Sequence, residues 1–213
     1  MDIIYSKFLL ILVISIFGMP VQSQNTYSAE YEVVAYPFKT YQSNHNDSMS
    51  NKEKEILGNQ IKLVLLKKIL VNDRYMKIIT QIDRENSNLS GISIGSNAKS
   101  DTTLIDKKKM IKYSDGEYFK IELNSINYLP NKENTVKLKN GDTIIVKENP
   151  SIPKNIVPNY DFSGLKNGIN FIEKSKSTTV LKKWEMTDKK LDLESNFKNL
   201  DTSSLKVYSP YKQ

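Results

Sequence analysis

The chain has 213 residues, a formal net charge of +7, 38% hydrophobic residues, 9% aromatics and no cysteine. That apolar content excludes a wholly disordered polymer, and the missing thiols exclude disulfides, thiolate chemistry and cysteine-based metal sites together. The cations are almost all lysine, with Arg74 and Arg84 the two arginines, and residues 101–213 mix 20 lysines with 15 acids; bidentate reading of phosphate or guanine is mainly arginine's work, so the charge reads as a solvated surface with no nucleic-acid partner.

At the N-terminus Lys7 precedes the apolar run Phe8–Phe17, which Gly18 and Pro20 break, and Val21 and Ser23 stand three and one residues before Gln24. A charged start, a short apolar stretch and this −3/−1 pattern describe a secretory signal peptide over residues 1–23, cleaved after Ser23. The run is half the length of a membrane-spanning helix, about twenty residues, and no cysteine is present to carry a lipid. The expectation is export to the periplasm, the outer-membrane surface or the medium, with no stable membrane span after cleavage. Residues 24–213 then make a single β-rich domain.

Tyr27–Tyr36 alternates, with Tyr27, Ala29, Tyr31, Val33 and Ala35 on one face and Ser28, Glu30 and Glu32 on the other, which predicts a half-buried strand stopped by Pro37. Residues 42–52 are polar and predict a loop. Ser50–Glu53 fits a capping box, so a helix starts there. Two readings of its end compete: Leu57, Ile61, Val64 and Leu65 keep helical spacing past Gly58, or a strand begins near Lys62 and runs to Val71. The second is preferred from Leu66 onward, with a turn at Asn72-Asp73 and a strand over Arg74–Ile82.

Residues 84–101 predict an irregular crossing. Met110–Tyr113 and Glu117–Leu123 form a hairpin about Ser114–Gly116, and Thr135–Lys139 and Asp142–Lys147 form another about Asn140-Gly141, the strongest short hairpin signal. Gly168–Ile172 and Thr178–Thr187 are further strands. A polar, loosely attached tail is expected from about residue 195. The predicted fold class is mainly β: a strongly curved antiparallel sheet or half-barrel with one helix packed against it.

Chemistry is sparse. His45, the only histidine, sits among Asn44, Asn46 and Asp47 in a polar loop, and one histidine without cysteine cannot assemble the usual metal set. No calcium-loop series and no Gly-x-Ser-x-Gly elbow occurs, and Gly91–Gly95 lacks the lysine and helix of a phosphate loop. The tyrosines, mostly at period two, read as packing. No catalytic residue, cofactor-binding residue, metal ligand or cofactor is assigned.

One stretch stands apart: Asn149–Pro153, Val157-Pro158 and Phe162–Ile169. Ile152, Pro153, Pro158, Phe162, Gly164, Leu165 and Ile169 fall at approximately the motif positions of the GLPGLI family of exported Bacteroidetes proteins, which this region resembles. Val157 replaces a glycine, Lys166-Asn167-Gly168 replaces the central Pro-Gly-Leu, and one residue is in excess before Phe162. The resemblance implies export and a curved antiparallel sheet, but no reaction. Read without it, those residues shape a connection between strands and plug one end of the core. The leading expectation is a non-enzymatic cell-envelope protein that holds an apolar ligand on a concave sheet. The alternatives are an interaction accessory of an outer-membrane transporter or surface assembly, and a hydrolase using a carboxylate pair.

Overall fold

The computed structural model describes residues 25–36, 61–88, 100–138 and 140–208. The signal segment, Pro37, His45, the helix expected from Ser50 and the Gly91–Gly95 stretch lie outside the described residues.

The alternating N-terminal run forms β1 (Thr26–Ala35). β2 (Leu63–Val71) and β3 (Tyr75–Ile82) follow as a hairpin. Its turn closes because Asn72 Oδ1 accepts from the N–H groups of Arg74 (3.0 Å) and Tyr75 (2.7 Å). β4 (Asp101–Asp106) was not foreseen from sequence. Its adjacent Leu104 and Ile105 are both buried, on opposite faces of the sheet, so the strand shows no alternation to read.

β5 (Ile111–Ser114) and β6 (Glu117–Ile121) make the predicted hairpin, with Asp115 (φ 54°) and Gly116 (φ 83°) both left-handed at the turn. After the short β7 (Asn124–Ser125), β8 (Thr135–Lys137) and β9 (Thr143–Asn149) flank Asn140-Gly141, where Gly141 takes φ 93°. Then come β10 (Phe162–Ser163), β11 (Gly168–Lys174), β12 (Ser177–Thr187), a one-turn helix α1 (Glu194–Phe197) and β13 (Lys206–Tyr208).

Eleven strands form one sheet in the order β13-β6-β5-β4-β3-β2-β1-β12-β11-β9-β8, with β7 and β10 as a separate parallel pair. The fold is mainly β and the sheet is not closed into a barrel. It is mixed rather than purely antiparallel, because β13 joins β6 in parallel.

Residues paired across strands share a face, so the register defines an inner row of Tyr27, Val71, Met76 and Ile105 and a second row of Tyr31, Lys67 and Thr80. One apolar cluster runs across this inner face from Ile121 on β6 to Val136 on β8. Its lid is the proline-rich crossing between β9 and β11, whose Ile152, Ile156, Val157 and Phe162 are buried in the same cluster.

Three contacts seat the crossing. The hydroxyl of fully buried Tyr31 donates to the carbonyl of Ile169 (2.6 Å) and also approaches that of Ile156 (3.2 Å). The N–H of Gly168 donates to Ile152 O (2.9 Å) and that of Ile169 to Ile156 O (3.0 Å). Glu148 braces the far end, its Oε2 accepting the N–H groups of Lys166 (2.8 Å) and Asn167 (2.7 Å) and its Oε1 the Tyr128 hydroxyl (2.7 Å).

The opposite face carries a smaller cluster of Tyr75, Leu104 and Ile111, covered by Leu191, Leu193 and Phe197. This corrects the expected loose tail. Phe197 is fully buried, Lys109 Nζ donates to Phe197 O (2.7 Å), the Tyr118 hydroxyl donates to Asn196 O (2.7 Å), and Lys206–Tyr208 pair with β6 as an edge strand. Apolar residues spaced by polar ones hid the packing, because the segment presents its few large side chains one at a time.

A Cβ on Gly168 would stand 2.2 Å from Ile152 Cγ2 and 2.6 Å from Pro153 O. Gly168→Ala is therefore expected to cost about 1–3 kcal/mol, read as a lower urea midpoint with an unchanged slope. An unaltered midpoint would mean that the crossing is not pressed against β11.

Candidate functional site

Period two places Leu65, Lys67, Ile69 and Val71 on the inner face of β2, so a lysine occupies a position its neighbours fill with core. A lysine can do this by laying its methylene stem on apolar surface and keeping its tip in a polar opening. The same holds one side along: Lys112 of β5 pairs with buried Ile105 and faces the same way.

Both tips meet a cavity of about 190 Å³ whose floor includes Ile78, Ile105 and Ile121. Thr80 and Thr103 add hydroxyls from the sheet, Asn159, Tyr160 and Asp161 descend from the crossing, and Tyr208 closes the β13 side. Lys67 Nζ donates to Asn159 Oδ1 (2.7 Å), and Lys112 Nζ lies 3.7 Å from the centre of the Tyr208 ring. A lysine over a tyrosine face is a cation–π contact.

Asp161 is 6% exposed. Its backbone is anchored, since its carbonyl accepts from Asn124 N–H (2.9 Å) and the next two residues pair with β7. Burial raises the Asp161 carboxyl above its ordinary value, and the cations Lys174, Lys67 and Lys112 and a hydrogen bond from Asn159 offset only part of that rise. Asp161 is the one carboxylate that lines the cavity beside Lys67 and Lys112, so in its ionised form it is the group that offsets them. Burial lowers Lys67 to about 8 despite the opposing pull of Asp161, and lowers Lys112 and Lys174 as well. The cavity is lined by two lysines against one carboxylate, and it is partly open to solvent.

Two further clefts open on the described residues. The first, about 270 Å³, shares Tyr160 and is lined by Leu123, Val157, Phe162 and Leu165 with Lys107 and Lys154. Lys107 Nζ donates to Asn72 O and sits 6.0 Å from the Tyr160 ring centre, and burial lowers it to about 8. The second, about 370 Å³, is a polar opening by Thr143, Glu173 and Lys174 at the end of β9 and β11. Each of the three openings is lined by no more than one carboxylate, so the carboxylate pair a hydrolase would need is not assembled in any of them. Among the described residues no three His, Asp or Glu side chains converge as a metal group, and no helix is long and apolar enough to cross a membrane.

The seven motif residues are brought together, but not around the lysine cavity. Ile152, Phe162 and Ile169 are buried in the main cluster and Pro158 is fully buried. Pro153 O accepts the Ile156 N–H (2.8 Å), Gly164 turns at φ 83°, and Phe162, Gly164 and Leu165 line the 270 Å³ cleft. The polar triplet Asn159–Asp161 stands between buried Pro158 and Phe162. Sequence reasoning missed it together with Lys67, Lys112 and Tyr208. The available signal was a lysine at an inward position of an otherwise apolar strand. Comparison with family models, characterised proteins and solved structures finds no match.

Because folding lowers Lys67 and Lys107 to about 8, the unfolded chain holds more protons than the folded one between about pH 8 and the ordinary lysine range. Stability then rises with pH through that window. The urea midpoint is expected to increase from about pH 7.5 to about pH 9.5, and the increase to shrink in Lys67→Met and further in Lys67→Met/Lys107→Met. An identical rise in the double variant would rule out these lysines as its source.

Proposed function

We propose that this chain is an exported, non-enzymatic binding protein of the cell envelope whose ligand is small and anionic and sits beneath Asn159–Asp161. The observation that carries the reading is the excess of positive charge in a partly open cavity, with Lys67 and Lys112 against a single lining carboxylate. Buried cations lacking full compensation are costly, and an anionic guest would relieve that cost. Export rests on the Lys7, Phe8–Phe17 and Ser23 pattern and on the resemblance of 149–169 to GLPGLI proteins.

The apolar ligand expected from the alternating strands fits the cleft of about 270 Å³ beside Leu123, Val157, Phe162 and Leu165 better than the lysine cavity. Elsewhere the apolar inner face is packed beneath Ile152, Ile156, Val157 and Phe162, and the cavity under Asn159–Asp161 sets lysine, threonine and tyrosine above its isoleucine floor. Titration of the purified protein at low ionic strength with small carboxylates and phosphate tests the reading. Saturable binding is expected, weakened about tenfold or more by Lys67→Met/Lys112→Met. Binding unaffected by that pair of substitutions would place the anion elsewhere.

A second reading, docking to an envelope protein, draws on one patch. Trp184 (38% exposed) and Met186 (65% exposed) pair with Ala29 and Tyr27 on the inner-facing side of β12, and the Trp184 ring meets Tyr27 edge-on at 6.3 Å. Exposed large apolar residues in a contiguous group mark contact surfaces. Cross-linking in the envelope should give one dominant adduct that Trp184→Ala/Met186→Ala removes. A pattern of adducts indifferent to those substitutions would dismiss this patch.

A further inference from the structure

A pocket built from lysines alone would take any anion of suitable size. This one also holds Asp161, whose side chain lines the same opening as Lys67 and Lys112. It cannot be dismissed as a stray surface acid, being 6% exposed and backed by the β7–β10 pairing. Asn159 sits between the two signs of charge: its Oδ1 accepts a hydrogen bond from Lys67 (2.7 Å) while its side chain also hydrogen-bonds Asp161.

A carboxylate offers about four acceptor sites, so one amide does not exhaust Asp161. An anion carrying only acceptors would set its own oxygens against that carboxylate. An anion that also bears an O–H group can turn its charged oxygens to Lys67 and Lys112 and its proton to Asp161. The cavity of about 190 Å³ has room for a compact anion.

Resting on the anion-site reading above, we infer that the cavity selects small anions that carry their own hydrogen-bond donor, hydroxycarboxylates or protonated phosphate, and that Asp161 is the residue that imposes this choice. The lysines supply attraction without discrimination. Asp161 supplies the discrimination, by accepting a hydrogen bond that donor-free anions cannot give.

Phosphate against sulfate and glycolate against acetate are matched pairs of similar size that differ in the donor. Calorimetric titration at about pH 7, where phosphate keeps a proton, is expected to show phosphate binding about tenfold tighter than sulfate, or glycolate about tenfold tighter than acetate. Tenfold is ~1.4 kcal/mol, within the cost of leaving a buried acceptor opposed. Whichever pair discriminates names the source of the anion. Asp161→Asn presents an amide that can donate, and is expected to bring the disfavoured anion of that pair to within about threefold of the favoured one. If both pairs bind alike in the wild-type protein, the selection is refuted while the anion site stands. If no anion of the four binds, the site reading itself fails and the selection with it. Should Asp161→Asn not fold, the wild-type comparison decides alone.

Discussion

The architecture depends on how closely the 150–167 crossing can approach the sheet. Gly168 permits it by having no side chain where Ile152 and Pro153 pass, and Tyr31 rewards it with a hydroxyl aimed at the backbone of Ile169. Burial pushes the Tyr31 hydroxyl strongly upward, which keeps it a donor at every ordinary pH. Around that contact the apolar cluster closes, since Ile152, Ile156 and Val157 have no other surface to cover. An open sheet that would otherwise expose an apolar face is thereby covered by its own connection.

The same crossing creates the cavity. Where its residues are apolar they seal the face, and where they turn polar, at Asn159–Asp161, they leave a gap over two inward lysines. The charges are half-buried and partly compensated, a condition that costs stability and is retained in binding sites because a guest can complete it. Tyr208 and Tyr160 bound the gap on two sides, so the C-terminal edge strand and the crossing both contribute walls. The exposed ion pairs on the opposite face, Glu30 with Lys183 (3.3 Å) and Glu32 with Lys182 (3.1 Å), are solvated and add little by comparison.

Local rules reached the hairpins well. Asp115-Gly116 adopts the left-handed geometry its residue types favour, and β1, β2 and β3 lie where alternation and the Asn72-Asp73 turn put them. They failed at β4, where Leu104 and Ile105 are buried on opposite faces and leave no period to detect. They failed again at the C-terminus, where Leu191, Leu193 and Phe197 are too sparse to announce a packed segment. The site was the least legible part. Lys67 differs from a surface lysine only by its register within β2, and Asp161 lies 94 residues beyond Lys67 and 49 beyond Lys112, which come from two different strands.

By itself, then, the order of residues determined the strand periodicity, the turn geometry and the absence of thiol chemistry, because each depends on neighbours within a few positions. Only the tertiary structure decided which face the crossing covers, that Leu191, Leu193 and Phe197 pack on the other, and that Lys67, Lys112 and Asp161 line one cavity. The physical reason is that burial and charge compensation are properties of a volume, and the groups that meet in it are brought there by sheet order and by the fit of Gly168 against Ile152.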